Sequence, residues 1–132
     1  MALTGLVSLA SSATGSGDDD CVTVPASSCA PLYQPNFDNV FSITLQPSCG
    51  VEGSACHSAE GAQAGLVFDN ADDSYAQLAG SGGRVLASDA SCSLLMSRLA
   101  AEDDAQLMPP GQRLSDEELC AITQWIEAGA AR

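Results

Sequence analysis

The feature that most narrows what this chain can fold into is its set of six cysteines, spread through a polypeptide with little bulky apolar material. Hydrophobic residues make up 45% of the 132, but 21 of them are alanine and aromatics reach only 5%. Alanine buries little area, so a core built from it is thin and calls for a second constraint. An even number of cysteines supplies one, and it suits an oxidising compartment better than a cytosol. The length fits one domain of modest core, and no apolar run approaches a membrane-spanning length. Seventeen Asp and Glu against four Arg and no Lys give a formal net charge of -13. That balance excludes nucleic acid and anionic membrane surfaces as partners, since both require a basic footprint.

Residues 1–17 carry a weak apolar stretch (Ala2, Leu3, Leu6, Val7, Leu9, Ala10) followed by Ser, Thr and Gly. It resembles the downstream part of a secretory signal peptide, without the basic n-region. Cys21 follows Asp18-Asp19-Asp20, where a lipid-attachment motif needs small or apolar residues, which argues against a lipid anchor there. Periplasmic or secreted location is therefore expected from the cysteines rather than from this segment.

Residues 1–36 read as tail and linker, with the acidic run and Pro25, Pro31 and Pro35. Residues 37–132 read as an all-α domain of about four short helices with long loops. Asn36 caps a first helix in which Phe37, Val40, Phe41 and Thr44/Leu45 share a face, with a stop expected before Pro47. A loop from Pro47 to Gly65 then holds Cys49, Cys56 and the sole histidine, His57. Leu66-Val67-Phe68 is too brief an apolar run to assign. Asp72 or Asp73 caps a second helix ended by Gly80. Asp89 or Ser91 caps a third with Cys92, Leu95, Met96 and Leu99 on one stripe. Ser115 through Glu118 forms a capping box for the last helix, striped by Leu119, Ile122 and Ile126, with Trp125 beside the stripe and Gly129 at its end.

Chemistry concentrates at Cys49-Gly-Val-Glu-Gly-Ser-Ala-Cys56-His57. A Cys-His pair in a loop between helices can give a thioether to a haem vinyl group and an imidazole to its iron. The usual attachment spacing is C-x-x-C-H, and here it is C-x6-C-H, so the six intervening residues must bulge outward. Gly50 and Gly53 permit that. Three other readings stand beside it: a Cys49–Cys56 disulfide with an exposed His57; a zinc site, which lacks a fourth ligand; and a Cys-His nucleophile, which lacks an orienting partner. Met108, in the extended Met-Pro-Pro-Gly turn, can offer its sulfur as a second axial ligand; its alternative is ordinary core filling, the role assigned to Met96. A Cys92–Cys120 bridge closing roughly thirty residues is worth roughly 3–4 kcal/mol in the chain-entropy model, and leaves Cys21 to close a small loop with Cys29. Six cysteines allow fifteen pairings, so this is a preference among many.

These pieces together resemble the small c-type cytochrome domains of secreted bacterial proteins, as in planctomycetes and myxobacteria. The resemblance runs from Phe37 to the end of the chain. It rests on the apolar helix leading to Cys49, the Cys56-His57 pair and Gly65-Leu66-Val67-Phe68. It continues through Ser91-Cys92-Ser93-Leu94-Leu95, Met108-Pro109-Pro110-Gly111, and Leu114-Ser115 through Trp125-Ile126 and Gly129-Ala130. It implies a cytochrome c-like fold with one haem c. His57 is then the proximal and Met108 the distal iron ligand, Cys56 a thioether, and Cys49 the first attachment cysteine across an enlarged gap. The first and last helices are expected to cross near Phe41 and Trp125. A relative that kept the fold but bridged Cys49 to Cys56 is also compatible with the pattern.

The leading expectation is thus an exported monohaem c-type cytochrome carrying single electrons. The alternative is a haem-free, disulfide-stapled extracellular binding or structural module with three disulfides. An enzyme ranks third, because one histidine does not assemble a nucleophile, base and orienter. The acidic runs, including Asp72-Asp73 and Asp103-Asp104, read as solvated faces. The sequence names neither a redox protein partner nor an oligomeric state.

Overall fold

The computed structural model describes residues 21–80 and 82–132, and among these it is helical with no strand. Helix α1 runs from Phe37 to Cys49 in three consecutive parts, Phe37–Asn39 in α geometry, Val40–Leu45 in π geometry and Gln46–Cys49 in α geometry again. Helix α2 is Ala71–Ala79, α3 is Leu94–Leu99 and α4 is Asp116–Glu127, with a 3₁₀ turn at Gln63–Gly65. The all-α class and four short helices are those expected from the sequence. The signal-like segment and the Asp18–Asp20 run lie outside the described residues.

Local capping accounts for most of the boundaries. The Asn36 side chain accepts from the Asn39 N–H, and Ser115 and Glu118 form the reciprocal capping box expected for α4. Three expectations are corrected. Helix α1 does not stop before Pro47. The N–H of Gln46 reaches back five residues to the Phe41 carbonyl, and these wider turns relieve the clash that a proline ring makes in an ordinary α-helix. Helix α2 is capped by Asn70, which accepts from the Asp73 N–H, and not by Asp72 or Asp73. Helix α3 starts after Ser93, because Asp89 spends its carboxylate on a turn at the Cys92 N–H, leaving Cys92 outside the helix.

The core gathers where α1, α2 and α4 meet. The Phe37 ring lies 5.3 Å from Trp125 and 5.2 Å from Tyr75. The helices therefore cross through Phe37, one turn from the expected Phe41, whose ring is 6.1 Å from that of Phe37. The Arg132 guanidinium covers the same Phe37 ring at 5.4 Å and pairs with Asp38 of α1 and Asp72 of α2. Leu45, Leu78, Met96, Leu99, Ile122 and Ile126 are fully buried beneath, so Met96 fills core as expected.

Residues 21–36 form no helix but are strapped along this body. Val22 donates to the Ser91 carbonyl at 2.8 Å, and Leu32 to the Glu117 carbonyl at 3.0 Å. Val22, Val24 and Tyr33 pack on the core. The disulfides follow the strap. Cys21 is bonded to Cys92 and Cys29 to Cys120, in place of the expected Cys21–Cys29 and Cys92–Cys120 pairs. The reason is geometric: a segment hydrogen-bonded along the domain carries its cysteines past different partners instead of folding back on itself. Cys21, considered above for lipid attachment, is thereby in a disulfide.

Candidate functional site: a cavity holding an imidazole and a thioether

The loop between α1 and α2 sets the histidine. Cys49 closes α1, so its backbone is fixed before the loop begins. The next residues turn outward, with Ser54 donating to the Val51 carbonyl at 3.0 Å and Gly53 at φ +76°. The chain then returns until the His57 N–H meets the Cys49 carbonyl at 3.1 Å. The long spacing between the cysteines is therefore taken up as a bulge. Gly53 serves it through its left-handed backbone, as expected. Gly50 serves it otherwise: its φ is -108°, but a Cβ there would stand 2.6 Å from the Phe68 Cβ and 2.7 Å from the Phe68 carbonyl oxygen.

Leu66-Val67-Phe68, unassigned from sequence, is the bed on which His57 lies. Phe68 donates to the His57 carbonyl at 2.8 Å, and its ring meets the imidazole edge-on at 5.5 Å. His57 Nδ1 lies 3.0 Å from the Leu66 carbonyl oxygen. A carbonyl only accepts, so Nδ1 carries the proton in this bond, and in the neutral ring Nε2 is the nitrogen left with a free lone pair.

His57 opens onto a cavity of about 250 Å³ that is also lined by Met108, Cys49, Phe68, Arg84 and Arg98. Leu45, Leu95 and Leu99 complete largely apolar walls, and Leu94, 50% exposed, forms part of the lip. Met108 is held there by its N–H, which donates to the Arg98 carbonyl at 2.9 Å at the end of α3. The two residues singled out as an axial pair, fifty-one positions apart, thus line one cavity. A groove of about 600 Å³ lies along the strap beside Glu102, Asp116 and Glu117, with no imidazole or thioether in its walls.

Both loop cysteines are free thiols. Cys49 is 8% exposed and lines the cavity, and burial, with lesser contributions from Cys56 and Glu118, pushes its thiol up to about 11. It therefore stays protonated at neutral pH. Cys56, next to the histidine in sequence, is half-buried and is not among the residues that line the cavity. Cys21, Cys29, Cys92 and Cys120 belong to the strap and not to this site.

Arg84 and Arg98 went unremarked in the sequence. Arg84 comes from the loop between α2 and α3 and donates to the carbonyls of Gln77 at 3.1 Å and Ala64 at 2.8 Å. Arg98 lies on α3 and donates to the Gln106 side chain. Spacing alone could not have found them, since Arg84, Arg98 and Arg113 follow one another at intervals of fourteen and fifteen residues.

A model of the planctomycete cytochrome C family matches residues 54–112. That stretch contains Cys56, His57 and Met108 as well as both cavity arginines, while Cys49 lies ahead of it. The match supports a cytochrome c-like domain in this chain. No curated protein and no solved structure matches the chain.

Proposed function

We propose that the protein is an exported monohaem c-type cytochrome that carries single electrons and catalyses no reaction of its own. The observation that carries this reading is the shared cavity, with a ring nitrogen bared on one residue and a thioether on the other. An imidazole and a soft sulfur are the donor set that suits a low-spin haem iron, and apolar walls suit a porphyrin face. At about 250 Å³ the cavity lies below the common range for small-molecule sites, so it would enclose only part of a ligand of porphyrin size. When bound, the haem supplies the one-electron couple. Around it the chain orients His57 through the Leu66 carbonyl, fixes Met108 through Arg98, excludes water with Phe68, Leu95 and Leu99, and offers Cys49 and Cys56 as thiols for attachment. The strap disulfides, the lack among the described residues of a helix long and apolar enough to cross a membrane, and the family match agree with an extracytoplasmic carrier.

A haem-free module with a third disulfide is the competing reading, and it requires Cys49 and Cys56 to be bridged, whereas both are free here. The test is a pyridine haemochrome spectrum of protein exported from a host with a cytochrome c maturation system. A c-type α-band that survives acid-acetone extraction supports the carrier, and its position separates two thioethers from one. A colourless protein without free thiols overturns it in favour of the stapled module.

A further inference from the structure

The chain carries seventeen acidic side chains and four arginines, so an unpaired cation is the exception to be explained. Arg132 pairs with two carboxylates, Asp38 and Asp72. Arg113 is exposed, lies in the strap groove beside Glu102, Asp116 and Glu117, and donates to the Ala101 carbonyl. Arg84 and Arg98 differ from both in being half-buried residues that line the cavity. Like Arg113, neither makes an ion pair among the described residues, although Arg98 also borders a neighbouring groove shared with Glu102 and Asp103. Their donors go to neutral oxygens only: the Gln77 and Ala64 carbonyls for Arg84, and the Gln106 amide for Arg98. Each guanidinium has five N–H donors in a planar fork, so both retain donors beyond those bonds. Two partly desolvated charges without a counter-ion are costly to keep, and a ligand carboxylate beside apolar walls offsets that cost more strongly than water-exposed acids do.

The backbone fixes both cations to the same frame as the ligating residues. The Arg84 carbonyl accepts from the Leu95 N–H at 3.0 Å, which ties that loop to the start of α3. The Arg98 carbonyl accepts from Met108. Ala64, gripped by the Arg84 side chain, holds a left-handed φ of +53° two residues before Leu66, the anchor of His57. Such a conformation is unfavourable for a residue with a Cβ and persists because its surroundings impose it.

We infer that Arg84 and Arg98 form the carboxylate-binding end of the cavity and take the two propionates of the haem, an assignment that rests on the carrier reading above. The positive charge they contribute also disfavours the oxidised iron, whose own charge is higher, and so raises the midpoint potential.

The test uses the haem-loaded protein. Midpoint potentials and the resonance Raman bending bands of the haem propionates are compared for wild type, Arg84→Gln, Arg98→Gln, Arg98→Lys and, as a control outside the cavity, Arg113→Gln. The expected result is a lower potential and displaced propionate bands in both cavity Gln variants, substantial recovery of the potential in Arg98→Lys, and no change in Arg113→Gln. Because Arg84 also holds two backbone carbonyls, Arg98→Gln decides the matter should Arg84→Gln fail to fold. Unchanged potential and bands in Arg98→Gln overturn the assignment, as does an equal shift in Arg113→Gln. Protein that carries no haem at all overturns the carrier reading instead, which separates the two failures.

Discussion

The Met108 N–H donates to the Arg98 carbonyl at 2.9 Å, so the thioether of the candidate site hangs from the last turn of α3 by a backbone bond that survives any change of side chain. Met108→Leu is therefore a clean probe of the sulfur alone. Volume-conserving swaps of this kind usually cost less than about 1.5 kcal/mol, so the variant should melt close to wild type. On the carrier reading it keeps covalently attached haem but loses the absorption that arises from sulfur-to-iron charge transfer, and its potential falls. A variant with an unaltered visible spectrum removes Met108 from the ligand set.

The strap disulfides can be read out by peptide mapping, because the arginines fall between the cysteines. Trypsin leaves Cys21, Cys29, Cys49 and Cys56 on the peptide ending at Arg84, Cys92 on Val85–Arg98, and Cys120 on Leu114–Arg132. With Cys21–Cys92 and Cys29–Cys120, the unreduced digest should contain one assembly in which the first peptide holds both others. The pairing favoured by sequence proximity would instead link Val85–Arg98 to Leu114–Arg132 alone. The bridges span separations of 71 and 91 residues. Loss of either should cost about 4 kcal/mol in the chain-entropy model, visible as a lowered denaturation midpoint in Cys21→Ser/Cys92→Ser and in Cys29→Ser/Cys120→Ser.

What the sequence made legible was the local chemistry. The Ser115–Glu118 box, the Asn36 cap and the apolar stripes of α3 and α4 are written within a few residues of where they act, so they could be read directly. His57 and Met108 stood out because a lone histidine after a cysteine and a methionine before two prolines are uncommon. The errors came from tertiary context. Nothing near Pro47 announces the π turns that let α1 run on to Cys49. Nothing near Cys21 or Cys29 reveals that the strap hydrogen-bonds along the domain, so the nearest cysteine looked like the natural partner. Leu66-Val67-Phe68 and the two arginines matter only through what faces them, which a linear pattern does not encode.

The two glycines between Cys49 and Cys56 should fail differently when replaced. Gly50→Ala drives a methyl into the Phe68 Cβ and carbonyl, both rigid parts of the bed beneath His57. Overpacking of that kind typically costs about 1–3 kcal/mol, and on the carrier reading it should also weaken haem loading because Phe68 carries the imidazole. Gly53→Ala meets no atom within 4 Å and suffers only from its left-handed φ of +76°, a penalty of roughly 1 kcal/mol, with loading intact. Thermal melts and the haem-to-protein absorbance ratio of the two variants check this. Equal loss of loading in both would mean that the bulge itself, and not the packing of Gly50, governs the site.

The strap has its own pH signature at Tyr33. Its hydroxyl bonds to the Thr44 Oγ1 at 2.8 Å, tying the strap to the middle of α1. Burial pushes the Tyr33 phenol above its ordinary value of 10.0, the Thr44 bond opposes this, and Glu118 reinforces it. The folded protein therefore holds this proton more tightly than the unfolded chain does. The associated stability is complete below pH 10 and is lost as pH rises through the folded value. Tyr33→Phe should be less stable than wild type at neutral pH by about 1 kcal/mol, the worth of a typical hydrogen bond. It should also lack the part of the alkaline decline that wild type owes to this group. Urea denaturation of both proteins from pH 7 to above pH 10 measures the difference, which must narrow with rising pH; parallel curves would mean that Tyr33 ionises as freely in the folded protein as in the unfolded chain.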